Sequence, residues 1–258
     1  MPTAAGLHYF LHEGGSTSRP PVVLIHGSGG DHLSWPAEVR RLPDYRVITL
    51  DLPGHGKTQG PGCQSIEDYA KKVAEFMDVA GLFRSVFIGH AMGGAIALVL
   101  ARDHPNLVVG LGLISTGGSL PIPSFIIENA ANQSTSLLAI KRLQELSLGP
   151  RTSANLREVY FKRLAEIRPS LLLGDLRACE RFNMIGSLGA IRNPALVVCG
   201  TEDRLTPVRF SEYLANQIPG AALQTVEAAG HLLILEQPAR LAKLISVFLA
   251  TVPYSPGR

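Results

Sequence analysis

Cysteine, charge and long apolar runs are all scarce in this chain of 258 residues. Cys63, Cys179 and Cys199 are an odd number without CxxC spacing, so neither a disulfide framework nor a zinc site is indicated. Cys199, inside the apolar run LVVCG, suits a small core residue. Charged residues make up 17% of the chain and leave a formal charge of +3. With no Lys/Arg block and no aromatic-basic interleaving, that balance excludes a nucleic-acid-binding class. The longest apolar runs, such as Leu107 to Ile114, fall far short of the about 20 residues that a membrane-spanning helix needs. The opening MPTAAGLHYFLHEGG lacks the basic-then-apolar order of an export signal. A soluble, cytoplasmic protein is the expectation, with no membrane span and no internal repeat or low-complexity segment.

Hydrophobic residues, by contrast, supply 46% of the composition, enough for a large core in one domain with an insertion. Short β-branched runs predict strands at His8 to His12, Val22 to His26, Val47 to Leu50, Val86 to Ile88, Val109 to Ile114, Ala195 to Cys199 and Ala222 to Val226. Helical periods between them predict helices at Pro36 to Leu42, Ile66 to Ala80, Met92 to Asp103, Pro207 to Gln217 and Pro238 to Ala250. Such alternation builds an α/β fold on a mostly parallel sheet, and the unbroken apolar strands imply helices on both faces. The rhythm stops between residues 120 and 192, where the sequence turns helical and Ser/Asn/Leu-rich. That stretch predicts a helical cap inserted into a core formed by 1–119 and 193–258. It is entered through Pro121 to Pro123 and left at Asn193, which Pro194 pushes toward extended backbone. The insert holds ten Lys/Arg against six Asp/Glu, and these basic side chains are expected on its outer face.

Four short motifs stand at strand ends. HGSGG, His26 to Gly30, follows PVVLI and can aim backbone N–H groups outward, whereas the Ser28 side chain reads as solvated. GHAMG, Gly89 to Gly93, joins a strand to a helix in the layout of a nucleophile elbow, with Ala91 where a serine would stand. GTEDRLTP follows ALVVC and puts Asp203 in a loop at the carboxyl end of a strand, where sites of open parallel sheets gather. Asp203 equally suits an Asx turn or N-cap ahead of Pro207. AAGHLLILEQP places His231 between a strand and the last helix. The order elbow, acid, histidine is that of the α/β-hydrolase triad.

On these motifs, together with DLPGHG at Asp51 to Gly56, the chain resembles a capped α/β-hydrolase of the serine esterase and lipase-like branch. The likeness runs over nearly the whole chain outside the cap. It implies a nucleophile at position 91, an acid at Asp203, a base at His231, and oxyanion donors at the N–H groups of Ser28 and Met92. His55, in DLPGHG, is expected to be a surface residue. The departure is Ala91, which has no hydroxyl and is neither the Asp nor the Cys used by related dehalogenases, epoxide hydrolases and dienelactone hydrolases. An engineered Ser→Ala is the expectation, because the other parts are intact; a naturally serine-free binding protein or lyase is the alternative.

With serine at 91, the resemblance implies attack of its Oγ on an acyl carbon, proton transfer to His231 and hydrolysis of an acyl-enzyme, without metal or cofactor. The substrate is expected to be a small carboxylic ester or thioester, in a pocket lined by Trp35, Phe125, Ile126, Leu205 and Leu232. Hydrolysis of a carbon–carbon bond, or of a methyl ester on an acidic acyl carrier protein gripped by cap arginines, fits the same motifs. A monomer or homodimer is expected.

Overall fold

A computed structural model describes residues 2–15 and 18–255. Among the described residues the strands β1 (Thr3–Ala4), β2 (Leu7–Glu13), β3 (Val22–Ile25), β4 (Arg46–Leu50), β5 (Ser85–His90), β6 (Val108–Ile114), β7 (Ala195–Gly200) and β8 (Ala222–Val226) form one eight-stranded sheet. Its order is β1-β2-β4-β3-β5-β6-β7-β8. β2 pairs antiparallel with β1 and β4, and every other pairing is parallel. The parallel strands therefore all end at one edge, and the loops that leave it carry the four motifs.

β3, β5, β6 and β7 are buried along their whole length, as expected for strands covered on both faces. Alternation along β3 divides the core, because successive side chains point to opposite sides of a strand. Val23 and Ile25 pack with the helices α2 (Ile66–Val79) and α3 (Met92–Asp103). Val22 and Leu24 pack on the other face with α1 (Ala37–Arg40) and α10 (Pro238–Thr251). The buried side of α2 follows the helical repeat, through Ile66, Tyr69, Ala70, Val73, Phe76 and Met77, and its start is capped by Ser65, whose Oγ accepts the Asp68 N–H at 3.1 Å.

Between β6 and β7 the chain makes the helices α4 (Ser124–Ala130), α5 (Ser136–Ser147), α6 (Ala154–Glu166) and α7 (Pro169–Arg181). They share a hydrophobic cluster of their own, built on Ile126, Leu143, Leu164, Leu172 and Leu176. The remaining helices are α8 (Val208–Gln217) and α9 (Leu233–Glu236).

The sequence-derived strands and helices recur with ends moved by one or two residues in most cases. The helix expected over Pro36 to Leu42 shortens to Ala37–Arg40 behind a 3-10 turn at His32–Ser34, which the Asp31 side chain caps. The two-residue β1 was not anticipated, being too short to carry a period. Ser119, just before the insert, and Asn183 within it form an isolated antiparallel bridge. Among the described residues no helix is long and apolar enough to cross a membrane.

Candidate active site

Ala91 sits in the sharp turn from β5 to α3 with φ 49° and ψ −113°. A non-glycine residue in that region is strained by about 1–3 kcal/mol, so the surroundings must hold it. They do so with backbone bonds: Ala91 N–H donates to Ile114 O at 2.9 Å, Thr116 Oγ1 donates to Ala91 O at 2.8 Å, and Gly94 N–H donates to the same oxygen at 2.9 Å. The turn also needs bare backbone beside it. A Cβ at Gly93 would lie 2.1 Å from Ile25 O, and one at Gly89 would lie 2.1 Å from Gly93 O. The GxAxG spacing is thus a steric requirement of packing α3 onto β3.

Asp203 and His231 come together at the next two strand-end loops. His231 Nδ1 donates to Asp203 Oδ2 at 2.9 Å. The alternative use of Asp203 is realised at the same time, since its Oδ1 accepts the N–H groups of Leu205 and Thr206 at 2.9 and 2.8 Å. One carboxylate oxygen builds the turn and the other faces the ring. Burial works against the charged carboxylate, but the positive field and hydrogen bond of His231 and the bonds from Thr206 outweigh it, holding Asp203 below the usual carboxylate range. Thr206 Oγ1 donates to Asp203 Oδ2 at 2.8 Å and lies 3.1 Å from His231 Nδ1. Among the described residues His231 Nε2 has no hydrogen-bond partner, and the residue borders the cavity.

The backbone around His231 is fixed from two sides. His90 Nε2 donates to His231 O at 2.9 Å. Burial, then the neighbouring His231, lowers the His90 pKa to about 3, so this ring is a neutral donor. Glu236 accepts Gly230 N–H at 2.5 Å and Gly149 N–H at 2.7 Å, tying the histidine loop to the end of α5.

The loop after β3 is shaped by His26, whose Nε2 accepts Leu52 N–H at 3.1 Å while Nδ1 donates to Gly27 O at 2.8 Å. Burial foremost lowers its pKa to about 4, which keeps Nε2 free to accept. Ser28 and Met92 both border the cavity, and among the described residues neither backbone N–H has a hydrogen-bond partner. The Ser28 hydroxyl is not simply solvated: it lies 3.6 Å from Met92 Sδ and 3.5 Å from Cys179 Sγ.

A cavity of ≈ 650 Å³ lies between this sheet edge and helices α5, α6 and α7, bordered by Ala91, Met92, Ser28, His231, Leu205 and Leu232 among others. Three of the five residues expected to line it do not. Trp35 is fully buried in the sheet core with Val22 and Leu24, Ile126 is fully buried in the insert's own cluster, and Phe125 is an exposed residue on the outer side of α4. Apolar character alone could not separate the pocket wall from the two cores.

The basic side chains are not all on the outer face of the insert. Arg157 donates to the carbonyls of Gly149 and Thr152, and Arg168 donates to Gly54 O and Gly60 O at 2.9 and 2.8 Å. Arg163 borders the cavity together with Glu166.

His55 is not a surface residue either. It is 2% exposed, and its Nε2 donates to Asp175 Oδ2 at 2.8 Å while Nδ1 donates to Pro53 O at 3.0 Å. Both of its partners are acceptors, so the ring carries two protons. Burial opposes that charge, but the Asp175 hydrogen bond and charge outweigh it and hold His55 above the usual imidazole range. A second buried network joins Asp51 to His8 Nδ1 at 2.7 Å and His32 Nδ1 at 2.9 Å, fixing the loop that leads to His55.

Residues 22–244 match a family model described as the alpha/beta hydrolase family. Among curated proteins, a 2-hydroxymuconate semialdehyde hydrolase of Pseudomonas putida is 32% identical over 96% of this chain and 92% of its own length. A pimeloyl-[acyl-carrier protein] methyl ester esterase of Aromatoleum aromaticum is 32% identical over 88% of this chain and 97% of its own. Among solved structures, a thermophilic esterase from Thermogutta terrifontis superposes with a TM-score of 0.85 at 26% identity, covering 95% of this chain and 93% of that one.

Proposed function

Because this chain belongs to the alpha/beta hydrolase family, we propose that its site is that of a serine-type hydrolase of small carboxylic esters or thioesters, held in a form that lacks its nucleophile. In this reading Ala91 occupies the nucleophile position, Asp203 and His231 are the acid and base, and the N–H groups of Ser28 and Met92 are the oxyanion donors. The helices between residues 120 and 192 act as a lid. The observation that carries it is the elbow: residue 91 keeps φ 49° although alanine gains nothing from the strain.

The chemistry follows from the geometry once a hydroxyl is restored. His231 Nε2, the ring nitrogen without a partner among the described residues, takes the proton from the Oγ at position 91 as that oxygen bonds to the acyl carbon. Negative charge on the former carbonyl oxygen is met by two backbone donors that make no other hydrogen bond among the described residues. The leaving group departs with the proton from His231, and water repeats the sequence to release the acid. Asp203 holds the Nδ1–H tautomer and balances the imidazolium. In the chain as it stands, the first bond cannot form.

The mostly apolar wall, with Leu205 and Leu232 beside the dyad, supports an acyl or alkyl chain of medium length. Arg163 and Glu166, one turn apart at the cavity, offset each other's charge, and Arg157 and Arg168 are committed to backbone carbonyls. That arrangement favours a free small ester over a methyl ester carried on an acidic acyl carrier protein.

The test is Ala91→Ser, assayed on p-nitrophenyl esters and acyl thioesters of increasing length. Loss of a triad serine costs on the order of a million-fold in turnover, so the substitution is expected to raise hydrolysis by several orders of magnitude while the parent chain still binds the same esters. One observation favours a second reading. The open His231 Nε2 could take a proton from water or from a carbon acid directly, in a member for which alanine is native. Turnover by the alanine chain, with no gain in Ala91→Ser, would select it.

A further inference from the structure

Helix α7 places one carboxylate, Asp175, against three different parts of the core. It is fully buried and does not border the cavity. Its Oδ2 accepts Gly29 N–H at 2.8 Å and His55 Nε2–H at 2.8 Å, and its Oδ1 accepts Tyr69 O–H at 2.6 Å. Tyr69 belongs to α2 and is itself fully buried. A carboxylate in this position must find donors for its lone pairs, because desolvation without them disfavours the buried charge. Here every donor comes from outside the insert.

The Gly29 contact gives the cluster a consequence for chemistry. Gly29 follows Ser28 directly, so the carboxylate fixes the peptide unit next to the one that carries the Ser28 N–H. The loop is closed by Gly30 N–H on Gly27 O at 3.0 Å. Gly29 has φ +64°, and a Cβ there would meet Ile167 Cδ1 of the insert at 2.3 Å. One turn further along α7, Cys179 Sγ touches the Ser28 hydroxyl at 3.5 Å. The loop is thus held by α7 on two successive turns of one helix face. Charge is balanced as well: a bare carboxylate beside an oxyanion hole would oppose the oxyanion, and the doubly protonated His55 ring offsets it.

We infer that Asp175 is a positioning residue for the oxyanion loop: through Gly29 N–H it sets the direction of the Ser28 N–H, so that closure of the insert and assembly of the oxyanion hole are one event. The inference rests on the hydrolase reading for its kinetic consequence and on the Gly29 amide for its structural one, and each has its own readout. Asp175 touches no substrate in this account.

The test uses Asp175→Asn. In the parent alanine chain, amide hydrogen exchange followed by NMR is expected to show Gly29 exchanging at least about tenfold faster, with the β5 and β6 amides unchanged. In the Ala91→Ser background, kcat for a short p-nitrophenyl ester is expected to fall roughly ten- to a hundredfold with KM within a factor of about two, since a misplaced donor acts on the transition state and not on ground-state binding. Should Asp175→Asn fold poorly, the parent chain decides: its Gly29 amide is expected to exchange at least about tenfold slower than an open-chain glycine amide, and exchange at the open-chain rate would overturn the inference. Unchanged Gly29 exchange in Asp175→Asn, or a rise in KM at constant kcat, would overturn the inference. If Ala91→Ser hydrolyses no ester, the hydrolase reading fails and the amide exchange still decides the fate of the loop contact.

Discussion

Of the buried Asp–His pairs among the described residues, His231–Asp203 and His55–Asp175 differ in which ring nitrogen is spent. His231, which borders the cavity, gives Nδ1 to Asp203 and leaves Nε2 without a partner among the described residues. His55 gives Nε2 to Asp175 and Nδ1 to Pro53 O, so no nitrogen is left over. The first pair can pass a proton; the second can only hold one. The carboxylates differ in the same sense. Asp203 is bound by donors from its own loop and the neighbouring histidine loop, both on the sheet, whereas Asp175 reaches across from the insert. Proximity of an acid to a histidine therefore says little until the remaining nitrogen is accounted for.

The largest expected effects fall on the first pair. In an Ala91→Ser background, His231→Ala is expected to reduce p-nitrophenyl ester turnover by about a million-fold and Asp203→Asn by about ten-thousand-fold. His55→Gln in the same background should cost far less, through the loop alone. Near-equal losses for His55→Gln and His231→Ala, measured side by side, would erase the distinction between the pairs.

Next in size is the elbow. Gly93→Ala puts a methyl group 2.1 Å from Ile25 O, and overpacking of this kind costs about 1–3 kcal/mol or more, so Tm should drop by several degrees and the restored serine should lose most of its activity. Tm by calorimetry and probe labelling check both halves.

The pairs should also separate by pH. Asp203 is held below its ordinary range, so its contribution is present above the unfolded carboxylate pKa and is lost as pH falls through the depressed value. His55 is held above its ordinary range, so its contribution is complete below the unfolded imidazole pKa and is lost as pH rises through the raised value. A Tm–pH profile is therefore expected to decline at both ends, and Asp175→Asn should flatten only the alkaline side. A flattened acid side in that variant would assign the wrong pair. The smallest effect is Tyr69→Phe, about 1–2 kcal/mol for one buried hydrogen bond, read as a shift in denaturant midpoint.

The sheet was legible in the sequence because buried parallel strands are continuous apolar runs, and VVLI, SVFIGH and ALVVCG announce themselves as such. GHAMG, GTEDRLTP and AAGHLLILEQP were legible as strand-end loops for the same reason. Asp175 and Tyr69 were missing from that reading and His55 was expected at the surface, because their bonds span 106 and 120 residues of chain. A single Asp on an amphipathic helix has the pattern of a solvated residue, and only the docking of α7 on the loop makes it an anchor. Thr206, His90 and Glu236 escaped because each acts on a neighbour's backbone or carboxylate, a role without local signature. Trp35 and Ile126 looked like pocket residues for a simpler cause: core and cavity draw on the same apolar side chains.

The most direct measurement is covalent labelling of the Ala91→Ser protein with a fluorophosphonate probe, followed by peptide mass spectrometry. An active elbow predicts one adduct, on the peptide containing residue 91, formed rapidly and abolished by His231→Ala, with no adduct in the parent chain. Absence of an adduct at position 91, or equal labelling after His231→Ala, would contradict the assignment of this turn, this histidine and this cavity to one nucleophilic site.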